Sequence, residues 1–123
     1  MANAILFLYG SLKLGGENHR LVADQEYLGP AVTEARYRVV SLGRYPGLVE
    51  DPVNGLAVTG ELWRVSRCCL LELDDFEGGE GAWVRRPVAV VGMEGVEAYF
   101  YAGPVPADAP SGAEWPLPGE RPA

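Results

Sequence analysis

The residue types best suited to chemistry stand in two places, the stretch Tyr9-Gly10-Ser11-Leu12 and the acid Glu77. Gly10 has no Cβ, so the chain can bend there and a ligand can approach the backbone closely. Successive N–H groups in such a bend make a concavity that accepts a carboxylate or a developing oxyanion. An ordinary strand-end turn uses the same residues, so the turn by itself assigns nothing. Glu77 follows Leu73-Asp74-Asp75-Phe76, where a predicted helix stops. An acid there meets the negative end of the helix dipole, and beside apolar groups its pKa rises, as a general acid/base requires. Asp74, Asp75 and Glu80 read as a solvated acidic loop.

Other reactive types organise less well. Ser11 has no histidine-based triad to activate it. His19, the only histidine, is either a base or a structural residue opening a short helix. One histidine among scattered acids gives no metal-ligand spacing, so neither metal nor cofactor is expected. Cys68 and Cys69 are adjacent, a poor geometry for a disulfide, and read as small apolar helix residues rather than a redox pair. Tyr99 and Tyr101 share one strand face, where they either line a pocket or pack the core. Arg85 and Arg86 either attract an anionic substrate or pair with nearby carboxylates.

The elements that must position these groups follow from pattern. Ala4 to Tyr9 is continuously apolar and closes at Gly10, which suits a strand buried on both faces. Lys13 to Gly16 reads as a loop and Glu17 to Ala23 as a short helix. Tyr27 to Val49 reads as short β-prone pieces broken at Gly29-Pro30, Gly43 and Pro46-Gly47. A turn from Asp51 to Gly55 leads to a strand over Val58 to Val65. Ser66 caps a helix from about Arg67 to Phe76, with Cys69, Leu70 and Leu73 on its apolar stripe, Phe76 continuing it, and Gly78-Gly79 ending it. Val84 to Val91 and Val96 to Tyr101 are two further strands joined by Gly92 to Gly95. The expected fold is mixed α/β (α+β), a small curled β-sheet or β-barrel flanked by short helices. One domain over residues 1–103 is followed by a proline-rich tail, 104–123, either disordered or laid along the body with Trp115 as anchor.

The bulk numbers set the partners. With 123 residues the chain has length for one core. A net charge of −7 argues against nucleic acid and anionic membranes. No apolar run is long enough to span a bilayer, and no secretion signal is evident. Together with the cysteine usage this gives a cytoplasmic setting as the expectation.

The segments ILFLYGSL, GENHRL and LDDFEG, with Trp83-Val84-Arg85 after them, resemble the γ-glutamyl cyclotransferase-like family, in its γ-glutamylamine cyclotransferase and AIG2-like branch. The resemblance runs from about Ala4 to Tyr101, and Tyr45-Pro46 and Gly60-Glu61 share in it. It implies a small β-barrel with a pocket at one mouth, Glu77 as general acid/base, and the turn Tyr9, Gly10, Ser11 and Leu12 binding the glutamyl part through its amides. Trp83, by its indole, and Tyr101, by its strand face, are expected as further substrate-binding residues. The implied reaction cyclises a γ-glutamyl amide to 5-oxoproline and releases an amine or amino acid. Trp83 stands where tyrosine is common, which leaves the leaving group open. A binding protein using the same pocket without turnover is the alternative.

Overall fold

The computed structural model describes residues 3–43, 45–78 and 82–117. Their strands are β1 (Ala4–Leu8), β2 (Glu26–Ser41), β3 (Pro46–Glu50), β4 (Leu56–Val65), β5 (Trp83–Pro87), β6 (Val96–Tyr101) and β7 (Ser111–Gly112). One helix, α1 (Arg67–Gly78), lies between β4 and β5, and a single 3-10 turn spans His19–Leu21. Hydrogen bonding runs β1-β4-β2-β3-β6, and β6 returns to β1 in parallel, Ile5 opposite Val96 and Leu6 opposite Glu97. Five strands thus close a mixed barrel, with β5 added outside β6 and β7 outside β2.

The apolar run of β1 is explained by this closure. Phe7 points into the barrel with Val39, Leu48, Val58 and Phe100. Leu6 and Leu8, one residue to either side, pack in a second core with Val65, Cys69, Leu73 and Tyr99. A strand buried on both faces has no polar alternation to keep. Burial pushes the Cys69 thiol up to about 11, which keeps it inert as an apolar packing group.

Several expected boundaries shift. The pieces expected between Tyr27 and Ser41 form one long strand, because Gly29-Pro30 makes a bulge instead of a break. Gly29 takes φ +124°, and the register slips there and twice more before Tyr37, bending β2 around the barrel. The helix expected over Glu17–Ala23 reduces to its 3-10 turn, since Asn18 N–H is drawn back to the Ser11 carbonyl at 2.8 Å. The strand expected to reach Val91 ends at Pro87, whose ring removes a ladder donor. Beyond it Val90 bridges to Thr33 and Met93. Helix α1 runs on to Gly78, so Glu77 lies inside its last turn rather than after it. Gly79 and Glu80 fall outside the described residues. Residues 111–112 pair with Val39 and Val40, while Trp115, 8 % exposed, and Leu117 complete the barrel core.

Candidate active site

A cavity of about 340 Å³ opens where β1 ends, β3 begins and α1 finishes. Its wall includes Tyr9, Gly10, Ser11 and Leu12 on one side, and Phe76, Glu77 and Trp83 on another. Residues some seventy positions apart in sequence therefore meet at one site, near the lower end of ligand-pocket sizes.

The turn is held from behind. Lys13 N–H closes onto the Gly10 carbonyl at 3.1 Å, and Asn18 N–H onto the Ser11 carbonyl at 2.8 Å. His19 Nδ1 donates to the Leu12 carbonyl at 2.9 Å while its ring edge meets Trp63, so His19 braces the turn and does not line the cavity. Glu61 accepts from Leu14 N–H at 3.0 Å and from the Trp63 indole at 3.1 Å, bracing the following residue. A Cβ on Gly10 would stand 2.7 Å from Pro46 Cγ, so glycine is required for the turn to pack against the start of β3.

What these struts leave over is the chemical content. The N–H groups of Gly10, Ser11 and Leu12 donate to no acceptor among the described residues. Asn18 Nδ2 donates to Ser11 Oγ at 2.9 Å, so the serine hydroxyl keeps its own hydrogen for a ligand. Asn18 is buried and lines the cavity, a role hidden in the sequence because its partner lies across the loop.

Glu77 faces this donor set from α1. It accepts no hydrogen bond among the described residues, and burial raises its carboxyl to about 7. A carboxyl desolvated without partners holds its proton near neutrality, the condition for exchanging one in either direction. Tyr9 and Tyr99 are both pushed well above the usual tyrosine range, first by burial and in part by Glu77.

Tyr9 spends its hydroxyl inside the protein. It donates to the Tyr99 carbonyl at 2.7 Å and accepts from Leu48 N–H at 3.1 Å. Its ring lines the cavity while its oxygen ties β1 to β3 and β6. Trp83 lines the cavity as well. Tyr101 does not: its ring lies 5.2 Å from Trp83 and its hydroxyl donates to the Pro104 carbonyl. Its partner on the strand face, Tyr99, is the one that reaches the wall.

Asp74 corrects the reading of a solvated loop acid. Arg85 grips it through Nε at 2.9 Å and Nη2 at 3.0 Å, Tyr99 donates to it at 2.7 Å, and Arg85 Nη1 reaches Glu97 at 2.6 Å. Burial opposes the charged form of Asp74, yet the bonds from Arg85 and Tyr99 outweigh it and hold the carboxyl below its usual range. Asp75 stays exposed. Of the two roles open for the arginines, pairing is the one observed, since Arg86 also approaches Glu50, at 3.8 Å. The Asp74 network clamps α1 to β5 and β6 one helical turn before Glu77. Arg85→Met is expected to cost roughly 1–2 kcal/mol, read as a Tm lower by several degrees. With Asp74 left uncompensated beside it, Glu77 should also titrate higher, moving the midpoint of any kcat/KM profile upward.

Fold and cavity together define a small mixed barrel with a cavity between a donor-rich turn and a lone carboxyl. The chain belongs to the gamma-glutamyl cyclotransferase, AIG2-like family, which it matches over residues 6–117. It is 34 % identical over 98 residues to the rat gamma-glutamylaminecyclotransferase, covering 74 % of this chain and 66 % of the rat protein. The human protein of the same name is 35 % identical over 99 residues, covering 74 % and 64 %. The chain thus spans about two thirds of the length of these relatives. A crystal structure of a mouse AIG2-like protein superposes with a TM-score of 0.82 at 27 % identity, over 94 % of this chain and 89 % of that one. Among the described residues no helix is long and apolar enough to cross a membrane, and no group of His, Cys, Asp and Glu could hold a metal ion.

Proposed function

We propose that this protein cyclises a γ-glutamyl amide to 5-oxoproline and releases the amine. The observation that carries the reading is the pairing of three unengaged backbone donors with one unpartnered carboxyl of raised pKa in a single cavity. The substrate supplies its own nucleophile, so neither a protein nucleophile nor a metal is needed. Held folded against the turn, the α-amino group lies within attacking distance of the γ-carbonyl carbon. Glu77 takes a proton from the ammonium, and the freed amine attacks. The carbonyl π electrons move onto oxygen, where the N–H groups of Gly10, Ser11 and Leu12 stabilise the charge and bind the α-carboxylate. As the tetrahedral carbon collapses and the C–N bond to the leaving group breaks, Glu77 returns its proton to the departing nitrogen, and the second proton of the ring nitrogen passes to the released amine, which departs as an ammonium.

The test is direct. γ-Glutamyl amines and γ-glutamyl amino acids are incubated with the protein and 5-oxoproline is followed by mass spectrometry. Saturable binding with no product from any of them would replace the enzyme with a binding protein. Because the base form of Glu77 starts the reaction, kcat/KM is expected to rise with pH through a midpoint near 7. A profile flat between pH 5 and 9 would remove Glu77 from the proton transfer.

A further inference from the structure

Resting on the cyclisation reading, the geometry points to the class of leaving group. We infer that Phe76, Tyr45 and Trp83 form an apolar collar that selects a neutral, apolar amine. All three line the cavity, and two of them are large aromatic rings left open to solvent, Phe76 at 44 % and Tyr45 at 39 % exposure. Aromatic surface kept wet at a cavity wall is surface that a bound ligand can cover. Phe76 precedes Glu77 directly, Tyr45 precedes the Pro46 on which the turn packs, and Trp83 packs on the Tyr101 ring at 5.2 Å. The glutamyl half, with its carboxylate and ammonium, belongs on the amide turn. The amine on the far side of the scissile bond is left to the rings.

Charge decides among the amines. Glu77 is the only charge-bearing side chain among the described residues of the wall. The cation bonded to a lining residue, Arg20 on Asn18 Oδ1 at 3.3 Å, stands on the turn side, with the glutamyl group. A leaving group carrying a carboxylate would lose its water against aromatic carbon and face Glu77. One carrying a second ammonium would pair with Glu77 and hold it ionised, against its task of returning a proton. A neutral alkyl or aryl amine incurs neither cost and gains from burial.

Three γ-glutamyl amides of similar length test this, made from pentylamine, putrescine and γ-aminobutyrate. The pentylamide is expected to exceed both charged amides in kcat/KM by about tenfold or more. Phe76→Ala should shrink that ratio severalfold. Equal rates, or preference for either charged amide, overturns the collar. Binding of the same amides to the Glu77→Gln protein, by calorimetry, separates the two levels of the reading. No turnover together with tighter binding of the pentylamide defeats cyclisation and upholds the collar. Equal affinities defeat the collar whatever the turnover.

Discussion

Glu77→Gln is expected to lower kcat by about a thousandfold while leaving substrate binding nearly intact, within the range that general acid–base catalysis contributes. Glutamine keeps the shape of the side chain and its place in the last turn of α1, but cannot exchange a proton. Binding should survive because the glutamyl group is held by the turn, which the substitution does not touch. The decisive comparison is single-turnover 5-oxoproline release against calorimetric affinity. Full activity in the variant would transfer the proton chemistry elsewhere.

The same substitution has a stability signature with a definite sign. Glu77 titrates near 4.5 when unfolded and at about 7 in the folded protein, because burial disfavours its charge. Between those values the native state binds more protons than the unfolded state, so this residue makes stability fall as pH rises. The loss is complete above about pH 7 and absent below about pH 4. Glu77→Gln removes it, so the variant should gain Tm relative to the wild type between pH 4 and pH 8. A constant Tm difference across that range would mean that Glu77 is not desolvated. The enzyme reading thus predicts a variant that is inactive and, at neutral pH, more stable. A residue conserving only the fold would behave in the opposite way.

What the sequence made legible depends on range. Strand β1 and the turn after it are written in consecutive residues, an apolar run and a glycine, and both stand where that pattern places them. Helix α1 starts after Ser66, whose hydroxyl accepts from Cys69 N–H, as a local capping signal indicates. The long strand β2 is different. Gly29-Pro30 ends a flat strand but bends a barrel strand, and only closure of the sheet says which of the two applies. Asp74 shows the same limit at the site. Nothing in LDDFEG distinguishes one acid from the next. Asp74 acquires its role when β5 brings Arg85 alongside α1 and β6 brings Tyr99 beneath it. Asn18 is equally silent until the loop folds back on Ser11. The resemblance marked Glu77 and the turn, whereas the residues that hold them in place depend on contacts that no local pattern encodes.

Gly16→Ala is expected to cost the protein most of its substrate affinity although Gly16 is absent from the cavity wall. A Cβ there would stand 2.2 Å from the Ser11 carbonyl oxygen, 2.7 Å from its carbon and 2.9 Å from the Lys13 carbonyl oxygen. All three are backbone atoms, so no side chain can swing aside. The turn itself must move, and with it the Gly10, Ser11 and Leu12 amides and the anchor from Asn18 N–H to the Ser11 carbonyl. Hydrogen bonds to a charged group are worth roughly 1.5–3 kcal/mol each, so misaligning two of them weakens binding by at least about a hundredfold. Gly15→Ala is the matched control. Gly15 has φ +78° with nothing within 4 Å of an added Cβ, so alanine strains its own backbone without pushing on Ser11. Both variants should lose stability in a thermal melt, by roughly 1–2 kcal/mol for the strained Gly15 backbone. The affinity for a γ-glutamyl amide should collapse in the Gly16 variant and largely persist in the Gly15 variant. Equal affinities in the two would show that the glutamyl group is held somewhere other than the turn. The split expected here ties binding to the backbone amides themselves, because neither glycine offers a side chain to bind with.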